Sequence, residues 1–333
     1  MVRLGLALPD ELRDTPLEET VAFARRAEAN GFDAVWKGET AGSNAFAVLS
    51  AVARETTSVR LGTGVANVFS RTPTLLGMSA ATLADLSNGR FTLGIGVSAP
   101  PLVESWHGMS FERPLRRTRE TIEIVRQVLA GDRVEYRGEV FDLGPYSVAL
   151  DGPHEVPIFN AATGDTNRRL TGEYADGWLP VFVPRTHLAD QRESVIEAAR
   201  EAGRDPDAVT VVPWAPTAVA ADPERAEQLA REHLAQEMAM GYNRVVRKYG
   251  HGASADEAHE RWRDGDRDAA ADAISASMLD EFTIFGTPSD CRREIGNYEA
   301  AGADELVLWP PVTATSEDLE YLLEALGPEG ERA

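Results

Sequence analysis

The sequence predicts an α/β protein, a single (β/α)8 TIM barrel covering residues 1–333 with a helical insertion at about 223–282. Three observations predict it. Apolar, strand-like runs alternate with amphipathic helical segments from the first residues to the last. Three of those runs end in small residues and feed a helix: Gly62-Thr63-Gly64-Val65, Gly94-Ile95-Gly96-Val97-Ser98 and Asn160-Ala161-Ala162-Thr163-Gly164. No internal repeat or low-complexity linker divides the chain. Eight strand–helix alternations in this length suit a closed barrel better than an open doubly wound sheet.

The elements follow in order. Arg3–Leu8 reads as the first strand, and a helix over Pro16–Asn30 stops at Gly31. Phe32–Trp36 is the second strand, followed by a helix over Asn44–Glu55. Val59–Val65 is the third, with a helix over Thr74–Leu86 that opens near Pro73, a residue suited to a first helical turn. Arg90–Ile95 is the fourth, and Leu115–Leu129 its helix. A hairpin-like insertion is expected at Val134–Tyr136 and Glu139–Leu143. Val156–Asn160, Gly177–Val181 and Val209–Ala215 are the fifth to seventh strands, with helices over Thr166–Tyr174 and His187–Glu201. Residues 223–282 read as helical and polar, longer than a crossover needs. The helix Ser289–Ala301, the strand Glu305–Leu308 and the helix Ser316–Leu326 complete the pattern.

Composition narrows the function. With 43% hydrophobic residues the chain can bury a large core. It holds no apolar run of 18 residues, and it enters its first strand without a charged and apolar leader, so a cytoplasmic enzyme without a membrane segment is expected. Its one cysteine, Cys291, excludes an internal disulfide and a cysteine-cluster metal site, and is read as an inert helical residue. The formal net charge is −21, the charges are interspersed, and only Lys37 and Lys248 are lysines. A dispersed acidic excess of this kind fits a salt-loaded cytoplasm and disfavours nucleic acid as a partner. A small-molecule substrate is the expected partner.

In a (β/α)8 barrel the active site lies where the strands end. Here those loops begin near Leu8-Pro9-Asp10, Lys37-Gly38-Glu39-Thr40, Gly62–Asn67, Gly96–Ser98, Ala161–Asp165, Val181–Pro184, Pro213–Pro216 and Trp309–Pro311. Glycines at such ends let a ligand approach the backbone.

The motifs Ala27-Glu-Ala-Asn-Gly-Phe-Asp-Ala-Val-Trp36, Leu61-Gly-Thr-Gly-Val-Ala-Asn67 with Arg71-Thr-Pro73, and Ala81–Gly96 resemble the bacterial-luciferase-like superfamily. Val103–Gly108, Arg116–Glu123, Val156–Phe159 and Gly172–Trp178 extend the likeness, specifically to the branch that uses the deazaflavin coenzyme F420 and includes methylenetetrahydromethanopterin reductase. The resemblance implies a barrel with the cofactor across its mouth. It also implies a non-proline cis peptide at Gly64-Val65 pressing on the tricyclic ring, and a homodimer or higher homo-oligomer paired through outer helices. Two positions depart from the pattern. Thr40 stands where relatives often carry His, and Ala7 where the methanopterin reductases carry an acidic residue.

Glu39 is the candidate catalytic group, to bind the ring or move a proton, against the alternative of a solvated carboxylate. Thr63, Gly64, Val65 and Asn67 are the expected ring contacts, although Thr63 and Asn67 equally suit turn capping. Gly96, Val97 and Ser98 offer backbone amides near the cofactor tail. Ala162, Thr163 and Gly164 lead into a helix start where N–H groups can hold the cofactor phosphate, with Arg168 or Arg169 nearby and Asp165 as a competing cap. Glu104 and His107 lack the further ligands a metal needs, so no metal is expected. Trp106 is expected over the cofactor edge, and His251 and His259 in solvated roles. Trp178, Trp214 and Trp309 sit at strand ends as pocket or core residues. The expected activity is hydride transfer between F420 and an organic substrate, such as an iminium-like pterin or folate, an alcohol or an enone. Two alternatives stand beside it: a luciferase-like monooxygenase using FMN, and a non-catalytic barrel that has lost its cofactor.

Overall fold

Parallel strands, each apolar on both faces, form the wall around which everything else is hung. The structure, a computed structural model, describes residues 2–9, 16–131 and 133–328. Its elements run β1 (Arg3–Ala7), α1 (Leu17–Ala29), β2 (Ala34–Lys37), α2 (Ala45–Glu55), β3 (Arg60–Thr63), β4 (Ala66–Asn67), α3 (Pro73–Ser87), β5 (Phe91–Gly96) and α4 (Pro114–Leu129). The hairpin β6 (Arg133–Arg137) and β7 (Asp142–Ser147) follows, then β8 (Ile158–Asn160), α5 (Asp165–Tyr174), β9 (Gly177–Trp178), α6 (Arg185–Glu201), β10 (Thr210–Val211) and β11 (Trp214–Val219). Helices α7 (Pro223–Glu237), α8 (Asn243–Val246), α9 (Gly252–Arg263), α10 (Arg267–Asp272) and α11 (Ala276–Phe282) make the insertion. The chain closes with β12 (Ile284–Gly286), α12 (Pro288–Ala300), β13 (Glu305–Trp309) and α13 (Ser316–Leu326).

Pairing is parallel around the ring, β1–β2–β3–β5–β8–β9–β10 on one side and β1–β13–β11 on the other. Strands β10 and β11 are one run interrupted at Val212-Pro213. Across that interruption Val212 N–H donates to Trp178 O and Asp304 N–H to Val211 O, each at 2.9 Å, which closes the ring. The wall therefore has the eight positions the alternation predicts. Strand β12, which pairs with the far end of β11, was not expected from the sequence. At three residues it is too short to show a period.

Two expectations are corrected in detail. The third strand is not continuous to Val65: it breaks after Thr63, and β4 resumes the pairing with β5 at Ala66. The insertion is helical as expected but not polar throughout. Gln236, Glu237 and Met238 are buried, and His251 is only 9% exposed, with Nε2 at 3.0 Å from Glu281. His251 is thus a packed residue rather than a solvated one, because α9 and α11 close over it.

The acidic composition has structural uses at the lower rim. Asp33, Asp176 and Asp304 each precede a strand. Each accepts a backbone N–H from a neighbouring strand, at Leu4 (2.8 Å), Ile158 (2.9 Å) and Val211 (2.7 Å). Glu28 gathers the N–H groups of Thr57, Ser58 and Val59, and Glu120 those of Glu139, Val140 and Phe141. Burial raises both carboxyls, but the three N–H donors outweigh it and hold each below the usual carboxylate range. Helix starts are capped by Asn44, Thr72, Thr287 and Thr315, the last two as full capping boxes. Cys291 is buried on α12, and burial pushes its thiol up to about 12, in keeping with an inert residue.

Candidate active site at the mouth of the barrel

The barrel interior is solid, and it ends in a floor. Near the bottom, Glu305, with no exposed surface, accepts from Trp36 Nε1 at 2.9 Å and is ion-paired to Arg60. Trp36 fills the middle, 6.1 Å from Phe159 and 6.3 Å from Trp214. Leu179, Val212 and Val307 complete this layer. Above it the partly exposed side chains are Val65, Ala161, Val181 and Trp309, all at the carboxyl ends of strands. They form an apolar floor at the end of the barrel where such folds hold their ligands.

The glycines of the first two motifs serve this packing. A Cβ on Gly62 would lie 2.2 Å from the Trp36 ring, and one on Gly64 2.1 Å from the Trp214 ring. One on Gly94 would lie 1.9 Å from the carbonyl oxygen of Thr63, and one on Gly96 2.8 Å from Val65 Cγ2. At these four strand-end glycines protein atoms fill the space on the side where a side chain would stand. Gly164 differs, since a Cβ there would meet nothing within 4 Å.

The peptide Gly64-Val65 is cis, as the resemblance implies, and both residues are partly exposed at the floor. Thr63 is fully buried. Its Oγ1 donates to Gly94 O at 2.7 Å and accepts from Gly94 N–H at 2.9 Å, so its hydroxyl ties β3 to β5. Asn67 is 2% exposed, and its Oδ1 accepts from Phe69 N–H at 2.8 Å. Its buried Nδ2 has no partner among the described residues, and neither has Trp214 Nε1. Buried donors without acceptors cost about 1–3 kcal/mol each.

Gly96 and Ala162 are buried, and Trp178 Nε1 donates to Ala162 O at 2.8 Å. Val97 and Ser98 are partly exposed. Ser98 takes φ 61°, and Phe182, beyond β9, takes φ 52°. Left-handed non-glycine residues cost on the order of 1–3 kcal/mol and cluster where function holds them; both stand just past a barrel strand. At α5 the cap residue Gly164 makes no side-chain cap bond. Asp165, the expected competitor for the first-turn N–H groups, turns away: its side chain is 92% exposed and paired to Arg168 at 2.8 Å. Arg168 Nη1 and Lys248 Nζ both reach Thr163 O at 3.4 Å, which sets two cations beside this open turn. Arg169 points away, to Glu201 at 2.7 Å.

Glu39 is not a solvated carboxylate. Both of its oxygens meet Arg71, one at 2.6 Å, and Oε1 also accepts from Ala45 N–H at 3.2 Å at the start of α2. Arg71 in turn lies 4.8 Å over the Phe46 ring. Trp106, on a π-helical turn at Leu102–Trp106, is 61% exposed, and Glu104 Oε1 accepts from Phe111 N–H at 3.4 Å. No group of three potential metal ligands gathers among the described residues. His259 Nδ1 meets Met238 O at 3.0 Å. Asp10 of the first loop lies outside the described residues. A cavity of about 520 Å³ does open elsewhere, between α6, α7 and α12. Its Arg185 and Arg293 are committed to Glu294 and Asp290.

Sequence reasoning missed His233 and Glu237 on α7. Both are buried, and the His233 ring stands 4.8 Å from Trp309 at 89°. A 3.6-residue period marks them as inward-facing, but nothing local says that they meet a residue of β13.

The chain is similar to known proteins over nearly all of its length. The family profile described as luciferase-like monooxygenase matches residues 3–305. A protein of Mycobacterium tuberculosis classed as a coenzyme F420-dependent oxidoreductase is 34% identical over 330 residues, covering 92% of this chain and 95% of that one. The 5,10-methylenetetrahydromethanopterin reductase of Archaeoglobus fulgidus is 29% identical, covering 93% of this chain and 94% of its own. In fold, the coenzyme F420-dependent tetrahydromethanopterin reductase of Methanopyrus kandleri superposes with a TM-score of 0.87 at 24% identity, over 98% of this chain and 99% of that one. The chain belongs to the luciferase-like monooxygenase family.

Proposed function

We propose that this chain is an F420-dependent oxidoreductase that works at the mouth of its barrel. The observation that carries the reading is the floor: Val65, Ala161, Val181 and Trp309 present an apolar surface above a packed barrel. Such a surface fits a flat tricyclic ring. The relative named for F420 supports the choice of cofactor. When bound, the deazaflavin supplies or accepts the hydride.

The chain's own groups then do limited work. Gly64 and Val65 back the ring, and Val97 and Ser98 line its approach. Thr63, Gly96 and Ala162 hold those contacts in place from within the wall. The amides at Thr163 and Gly164, with Arg168, hold the phosphate of the tail. Glu39, with both oxygens on Arg71, serves as a hydrogen-bond acceptor for a ring or substrate N–H. The floor excludes water from beneath the reacting carbon and sets its distance from the substrate. The substrate is a small organic electrophile or its reduced partner: an iminium-like pterin or folate, a ketone and its alcohol, or an enone.

We also infer one domain with a helical insertion, supported by a family match whose span, residues 3–305, runs from the first barrel strand past the insertion. The lysine-poor surface supports a salt-loaded cytoplasm, and the exposed Leu75 and Met78 on α3 support pairing of two copies through outer helices. No helix among the described residues is long and apolar enough to cross a membrane.

The test is a single-turnover assay in molar potassium chloride. Reduced F420 is mixed with the protein and a panel of methylene-pterins, methylene-folates, ketones and enones. Return of the oxidised chromophore with one acceptor class, dependent on protein, is expected. Oxygen consumption with reduced FMN and no turnover with F420 would move the assignment to a monooxygenase.

A further inference from the structure

Beneath the outer edge of the floor lies a buried acid–base pair for which the proposed hydride transfer has no use. His233 is 1% exposed and Glu237 5% exposed, one turn apart on α7, with Nε2 and Oε1 3.9 Å apart. The His233 ring stands perpendicular to Trp309, the partly exposed indole of the floor, at 4.8 Å. Trp309 lies 5.9 Å from Trp214, against which Gly64 is packed. Phe182 closes the other side, 6.1 Å from Trp309 and 4.6 Å from Tyr242. A continuous set of rings thus joins the cofactor-facing bulge to His233. Titratable groups around it include Glu237 on its own helix and Tyr242, whose hydroxyl feels the Glu237 charge; His259 of α9 meets Met238 O, next to Glu237.

Burying an ionisable pair generally costs more than burying apolar side chains of the same shape, so a pair in this place calls for a use. We propose that His233, held by Glu237, is a positioning residue for Trp309, and that its protonation is coupled to occupancy of the mouth. The inference rests on the proposed function only in naming F420 as the occupant. A ring seated on Trp309 covers the exposed part of the indole and removes the water nearest the perpendicular imidazole behind it. Exclusion of water disfavours the imidazolium, so an occupied mouth favours neutral His233. By reciprocity, cofactor binding weakens as His233 takes up its proton.

The test reads tryptophan emission of the cofactor-free protein between pH 5 and 9, since protonated imidazole quenches an adjacent indole. Of the ring contacts among the described residues, this is the one that joins a histidine to a tryptophan. Wild type is expected to show a titration step. The step should vanish in His233→Gln and in Trp309→Phe, and its midpoint should fall in the near-isosteric Glu237→Gln. Saturating F420 should lower the wild-type midpoint, and F420 affinity should be about 5-fold weaker on the acid side, the low end of ordinary coupling. A step that survives His233→Gln overturns the inference, as does a midpoint that F420 leaves unmoved while it binds. A step that follows His233 in a protein to which F420 binds at no pH sustains the Trp309 coupling and overturns the choice of occupant.

Discussion

Two sides of the barrel mouth are built from the same kind of residue and do different work. On the side of β3, β4 and β5, the glycines at 62, 64, 94 and 96 are each filled in by something else: the Trp36 ring, the Trp214 ring, the Thr63 carbonyl and Val65. On the side of β8 and α5, Gly164 faces open space, with uncapped helical N–H groups behind it and Arg168 and Lys248 at hand. The first set fixes the shape of a floor: Gly62 and Gly64 let aromatic rings reach under it, and Gly94 and Gly96 let β3 and Val65 close against β5. The second leaves an open turn at a helix start beside two cations. A small residue at a strand end thus says that something comes close, and only the fold says whether it is protein or ligand.

The largest effect expected is at Gly94. An added methyl would meet backbone rather than a movable side chain, so Gly94→Ala should cost about 3 kcal/mol or more, or prevent folding, as judged by the thermal midpoint and soluble yield. Gly64→Ala comes next. It should destabilise by roughly 1–3 kcal/mol and also weaken F420 binding, because Trp214 must move. The double variant with Trp214→Leu should recover stability in chemical denaturation but not binding. If it recovers neither, the clash lies elsewhere.

Glu28→Gln and Glu120→Gln should each cost about 1.5–3 kcal/mol, the worth of hydrogen bonds to a charged acceptor. Both carboxyls sit below their ordinary 4.5, so their contribution is complete above that value and fades as pH falls through the lower, folded value. Urea unfolding at pH 7 and pH 3.5 should therefore show a smaller gap between variant and wild type at the acid pH. A gap that grows with acid would reverse the sign of the argument. The smallest effect on stability is expected at Gly164. Gly164→Ala should change it by no more than about 0.5 kcal/mol yet reduce F420 affinity several-fold, separating the open turn from the packed floor.

The fold was largely legible because it is written in local terms. Strands buried on both faces read as apolar runs, and Pro73, Gly31 and Gly131 punctuate the helices. The candidate residues were legible as strand-end positions but not in their contacts. Thr63 and Asn67 have the short polar side chains a ring carbonyl would want, but Thr63 spends its hydroxyl on β5, a strand about thirty residues away. Trp36 and Trp214 arrive under the glycines from β2 and β11, and no local period announces such meetings. His233 was missed for the same reason, and β12 because three residues carry no pattern. The cis peptide at Gly64-Val65 came from the family resemblance alone.

The most direct measurement is equilibrium binding of F420 and, separately, FMN to the purified protein in molar potassium chloride, followed by tryptophan quenching. The account predicts saturable, micromolar F420 binding with FMN much weaker, and quenching that is reduced in Trp309→Phe. Tight FMN binding without F420, or no binding of either to folded protein, would contradict it.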